Sequence, residues 1–153
     1  MLRLRALIPG EDVEVLSACF HALLAIDLRG NTPFVSRFLS SSAESAGEAA
    51  FALAETHSEM ALDELLKACQ TAMPKNSENL PALLQAVALT RLPRSVSYLL
   101  SLVEAEERCA PEAIQAVVQF NPGAEIRSQL EAAVETTGSP RLRKVLAEEL
   151  ARQ

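Results

Sequence analysis

Residues 50–69, AFALAETHSEMALDELLKAC, place apolar side chains at Ala50, Leu53 and Ala54, then a polar island, then Leu62, Leu65, Leu66 and Cys69. Spacings of three and four put each set on one face of a helix, so the stretch predicts two amphipathic helices joined by a turn. Adding 34 to each number gives Leu84, Val87, Ala88, Val96, Leu99, Leu100 and Val103, all apolar. A further 30 gives Ile114, Val117, Val118, Ile126, Gln129, Leu130 and Ala133, where Gln129 alone breaks the pattern. The chain therefore repeats one two-helix unit, and a period near 30 residues is the signature of stacked repeats.

A weaker copy lies upstream, at Ala22, Ala25 and Ile26 and then Val35, Phe38 and Leu39, with a turn one residue longer. Downstream, Leu142, Val145, Leu146 and Glu149 or Leu150 form a first helix without a second. The units are expected at about 12–42, 46–73, 77–107 and 110–137, with a half unit at 139–152, in a single domain over 1–153. Prolines agree with this division. Pro33, Pro111 and Pro140 sit where a first helical turn tolerates a missing N–H, and Ser139 and Ser77 are candidate caps. Pro93 and the Pro122–Gly123 pair fall in the islands, where a helix must stop. One hairpin alone buries too little to offset its ordering entropy, so the units must share their apolar faces. The expected fold is all-α: an α-solenoid, or superhelix, of about four helical hairpins plus a terminal helix.

Composition narrows the function. Leucine and alanine dominate and β-branched residues are few, which favours helix. With a net charge of −6 and scattered basic residues, the chain lacks the basic face that phosphate neutralisation needs, so nucleic acid is not an expected partner. The small cluster Arg141, Arg143 and Lys144 reads as the solvated side of the last helix. Cys19, Cys69 and Cys109 are far apart and flanked by apolar residues, so they read as buried hydrophobes of a reducing compartment rather than a disulfide or zinc framework. The opening MLRLRALIPG is too short and too interrupted for a signal peptide, and no run reaches the roughly 20 apolar residues of a membrane span. A cytoplasmic protein without membrane contact is expected.

No catalytic constellation is spelled. The chain has no glycine-rich phosphate loop, no G-x-S-x-G and no H-E-x-x-H. His57, Ser58 and Glu59 adjoin one another at a turn, where neighbouring side chains point apart, and they read as surface polar residues. His21, two residues after Cys19, has no further ligand set. The acid pairs Glu106–Glu107 and Glu148–Glu149 read as solvated helix ends. No enzyme, metal or cofactor is expected.

The period, the paired helices, the alanine-rich first helices and the small polar turns resemble the HEAT repeat family, particularly its short bacterial form. EAAFALAETHSEMALDELLKAC and PRLRKVLAEELA carry the resemblance, which spans about residues 12–152. Aspartate and arginine at the set positions of such repeats are patchy here. Tetratricopeptide repeats share the 34-residue step, but this chain has no Trp and only Tyr98.

Stacked hairpins present their second helices as a side wall, which points to a non-catalytic scaffold or adaptor that binds another protein. The residues placed on that wall are Asp63, Glu64 and Lys67 in the second unit, Arg94, Ser97, Tyr98 and Ser101 in the third, and Arg127, Ser128 and Glu131 in the fourth. Tyr98, a rigid amphipathic ring near its centre, reads as an anchor or as a ring packed on a neighbouring helix. The resemblance also implies an alternative, a subunit of a phycobilin lyase-like enzyme, although no residue here carries that chemistry. A third reading is a self-associating structural segment. The half unit at the end and the apolar stretch Leu2–Ile8, closed by Pro9 and Gly10, read either as cuts from a longer array or as natural caps. The chain is expected to be monomeric or weakly self-associating.

Overall fold

The computed structural model describes residues 1–8, 10, 12–120 and 123–153; the turn assigned to Pro122 and the break assigned to Pro9 lie outside them. Among the described residues there are ten α-helices and no strand. They are α1 (Leu2–Ala6), α2 (Val13–Ile26), α3 (Leu28–Ser36), α4 (Ala43–Ala54), α5 (Glu59–Ala72), α6 (Leu80–Leu89), α7 (Pro93–Glu104), α8 (Ala110–Phe120), α9 (Ala124–Thr137) and α10 (Pro140–Ala151). A 3-10 turn, Arg37–Ser40, extends α3. No helix among the described residues is long and apolar enough to cross a membrane.

Among the described residues three N-termini are capped by side chains that accept from backbone N–H groups: Asp12 from Glu14, Asp27 from Gly30 and Ser58 from Ala61. A Cβ on Gly30 would meet the Asp27 carboxylate, so a side chain there requires the capping carboxylate to shift. The caps expected of Ser77 and Ser139 are not made by their side chains at α6 and α10. The Ser77 hydroxyl instead accepts from Asn79 N–H, one step ahead of the helix. Pro33 lies inside α3 rather than in its first turn, because α3 starts at once after the Asp27 cap.

The helices pack as neighbours. One series runs α2 on α4, α4 on α6, α6 on α8 and α8 on α10, and a second joins α3 to α5 and α7 to α9. Residues 16, 19, 20, 23 and 24 of α2 are all buried, and adding 30 gives 46, 49, 50, 53 and 54 of α4, buried too. Steps of 34 and then 30 lead to 80, 83, 84, 87 and 88 in α6 and to 110, 113, 114, 117 and 118 in α8, again all buried. Ala52, Ala86 and Ala116 are buried as well, so each inner helix is covered on more than one face, and alanine lets the adjoining backbones approach.

The first unit therefore stands in a different register from the one its apolar residues suggest. Ala25 is exposed, Ile26 is 72% exposed and Ala22 is half-buried; the true counterparts of Ala50, Leu53 and Ala54 are Phe20, Leu23 and Leu24. In its second helix Val35 and Leu39 match Leu65 and Cys69 at a step of 30, with no longer turn. The shift escapes a hydrophobicity reading because two core positions are polar. Asn31 and Thr32 stand where Ala61 and Leu62 stand in the next unit, and all four are buried. Their polar atoms are satisfied: Asn31 donates to Leu23 O at 2.6 Å and accepts from Arg3 Nε at 2.9 Å, while Thr32 donates to Leu28 O at 2.6 Å.

The fourth unit slips by one residue. Leu99, Leu102 and Val103 match Leu130, Ala133 and Val134, all buried, so Gln129 is exposed and the apparent break in the pattern lies on the solvent side. The turns repeat as well. His57 and Arg91, 34 apart, both have positive φ, as do Asn76 and Glu106, 30 apart. Equivalent hydrogen bonds close each pair: His57 N to Ala54 O and Arg91 N to Ala88 O, then Asn76 N to Met73 O and Glu106 N to Val103 O. The 34-residue step thus contains four residues beyond the 30-residue one. Positions 59–69 match 93–103 at 34, whereas 72–80 match 102–110 at 30, so the extra residues lie at the C-terminal end of α5 and in the turn that follows it.

Candidate functional site

The side chains singled out in the sequence lie on α5, α7 and α9. Arg94, in the first turn of α7, reaches across to the first turns of α5, pairing with Glu59 at 2.9 Å and Asp63 at 2.5 Å. Its guanidinium is held even more firmly protonated than usual by the hydrogen bonds it donates to Asp63 and Glu59. Within α5, Lys67 pairs with Glu64 at 2.8 Å, and this bond raises the lysine pKa. Within α9, Arg127 pairs with Glu131 at 3.1 Å, four residues on, the favourable helical spacing. Lys67 and Arg127 are thus matched by acids of their own helices, and Arg94 by acids of α5.

The three serines on this side differ in surroundings. Ser97 and Ser101 are exposed and turn their hydroxyls back to Pro93 O and Tyr98 O. Ser128 is exposed. Tyr98 is half-buried: its hydroxyl lies 3.6 Å from Met73 Sδ and its ring packs against the core. Burial and the neighbouring Cys69 and Cys109 thiols push its phenol pKa well up. Of the two readings of Tyr98, this is the packed ring, although one side of it remains in contact with solvent.

Sequence reasoning missed Glu59 as the partner of Arg94, because the pair is 35 residues apart in the chain. It also missed Arg3, which donates to Gly30 O at 2.9 Å and ties α1 to α3 while its guanidinium lies 5.4 Å from the Phe34 ring centroid.

A cavity of about 360 Å³ opens beside α5, lined by Leu39, Glu64, Lys67, Ala68, Thr71 and Asn79 among others. Asn79 is buried in its wall, donating to Ser41 O at 3.2 Å, and its Oδ1 has no partner. That oxygen has almost no accessible surface, so it stands behind the wall rather than in the opening.

The residues weighed for chemistry are dispersed. The His57 imidazole meets Thr90 O at 3.0 Å, Ser58 caps α5, and Glu59 faces Arg94, so the three neighbours turn to three different partners. His21 lies 3.5 Å from Glu55. All three cysteines are buried and unpaired; burial raises the Cys69 thiol to about 12, and burial is also the main cause of the upward shift at Cys109. No cluster of His, Cys, Asp or Glu among the described residues could hold a metal ion. No protein-family model, no curated protein and no solved structure matches the chain.

Proposed function

We propose that the chain is a short right-handed α-solenoid of HEAT-like hairpins that serves as a non-catalytic scaffold, holding another protein on the face formed by α3, α5, α7 and α9. The observation that carries this reading is the recurrence of the same buried positions and the same positive-φ turns at steps of 30 and 34 residues. Units repeated in this way share their cores with their neighbours and leave one broad side free. Tyr98, Ser97, Ser101, Arg94, Asp63, Glu64, Lys67 and Arg127 lie on that side, with paired charges and one half-buried ring, a composition suited to a polar protein interface rather than to a polyanion.

Site-specific photocrosslinking tests the reading. A photoreactive residue at Ser97 is expected to trap one protein from the source cell, while the same residue at Gln119, exposed on α8, traps none. Equal trapping from both positions, or trapping from Gln119 alone, places the partner on another face.

A further inference from the structure

We propose that the cavity beside α5 is the pocket in which the partner protein seats one aromatic side chain, with a neighbouring aspartate or glutamate of that partner meeting Lys75 at the rim. The inference rests on the reading of this face as a partner surface and names what the face recognises. The repeat itself supplies the argument. Leu39 and Asn79, in the cavity wall, match Cys69 and Cys109 at a step of 30, and Glu64 and Ala68 match Tyr98 and Leu102 at a step of 34. At the later junction the Tyr98 ring packs against the core beside Cys69 and Cys109, with its hydroxyl 3.6 Å from Met73 Sδ. The chain thus fills that place with an aromatic ring of its own. At the earlier junction no ring stands there: Glu64 turns to Lys67 at 2.8 Å, and alanine occupies the position of Leu102. The space left is about 360 Å³, near the lower end of the range of ligand clefts, about 300–1,000 Å³, and so of a size for a side chain rather than a large cofactor.

The lining suits that occupant. Leu39, Ala68 and Ala72 offer apolar surface, as a ring requires. The Ser36 and Thr71 hydroxyls donate to Pro33 O and Lys67 O within their own helices, which leaves their oxygens as acceptors. The charged groups are Lys67 and Lys75 against Glu64, two cations and one anion, so the lining carries a net charge of +1 on a chain whose net charge is −6. Lys67 is taken up by Glu64. Lys75 is exposed and makes no ion pair among the described residues, so it is the group that meets a carboxylate from outside. A buried aromatic anchor supplies most of the affinity of such a contact, and the charge selects which sequence brings the anchor.

The test is selection of short random peptides, displayed on phage, by the immobilised full chain. Enriched sequences are expected to carry Tyr, Phe or Trp within two positions of Asp or Glu. Ala68→Leu, which installs the residue of the later junction, is expected to weaken the enriched peptides by about thirtyfold or more, the loss that follows when an anchor is shut out. Lys75→Glu is expected to weaken them by about twofold to fivefold at low salt and by less at high salt. No enrichment, enrichment of peptides without that pairing, or undiminished binding to Ala68→Leu overturns the proposal. Displacement of the peptides by free 3-phenylpropionate at equal concentration identifies a small-molecule site and overturns it too. The Lys75→Glu arm changes an exposed side chain, so it reads the same site should Ala68→Leu fail to fold. Ser97 lies on α7, outside the cavity lining, so crosslinking there leaves the scaffold reading standing when the peptide selection fails.

Discussion

At the scale of single residues, the turns hold a strain that the sequence does not announce. Arg91 and Glu106 adopt positive φ, at 55° and 50°, a region that costs an L-residue with a Cβ about 1–2 kcal/mol. Neither makes an ion pair among the described residues. Glu106→Gly is therefore expected to stabilise the fold by about 0.5–1 kcal/mol after glycine's own entropy cost, read as a higher urea midpoint with unchanged slope. His57 shares the conformation but also meets Thr90 O, so His57→Gly is expected to gain less or to lose. A second residue-scale effect concerns pH. Cys69 has its thiol pKa raised from 9.0 to about 12 by burial, so above pH 9 the unfolded chain releases a proton that the folded chain retains. A raised folded-state pKa gives stability that is complete below the unfolded value and is lost as pH rises toward the folded one. Stability is thus expected to fall between pH 9 and 12. Cys69→Val, which installs the residue found at the matching position Val103, is expected to flatten that limb in denaturant titrations at several pH values.

At the scale of elements, register is the informative quantity. The one-residue slip between α8 and α9 predicts opposite outcomes at adjacent positions. Leu130→Ala is expected to cost about 2–5 kcal/mol, because its side chain is buried, whereas Gln129→Leu is expected to change stability by no more than about 0.5 kcal/mol. Urea unfolding of the pair distinguishes this register from the unslipped one, in which filling position 129 would stabilise. The second to fourth units were largely legible in the sequence because their core positions are apolar and recur at helical spacing. The first unit was not. Asn31 and Thr32 occupy core positions there, and nothing local reveals that a buried asparagine will be satisfied by Arg3 and by Leu23 O. Helix α1 was missed for a related reason, since five residues carry too short a pattern to show a period.

At the scale of the whole molecule, each unit depends on the next. Helix α10 packs on α8, burying Leu142 and Leu146, and Gln153 donates to Val118 O at 2.7 Å. Removing residues 139–153 is expected to destabilise the remainder by about 3–6 kcal/mol, the worth of two buried leucines, and to lower the urea slope, because less surface is then exposed on unfolding. The candidate face was legible only in part. The sequence placed Asp63, Glu64, Lys67, Arg94 and Arg127 on second helices from their spacing against the apolar positions. It could not pair Arg94 with Glu59, or show that Tyr98 leans onto Met73, because such contacts join residues 25 to 35 apart. What the sequence determined by itself was an all-helical chain of repeated hairpins, since amphipathic spacing and turn residues act over a few positions. The register of the first and fourth units and the partners of the buried polar groups were decided by tertiary packing, where distant segments choose which face each helix hides.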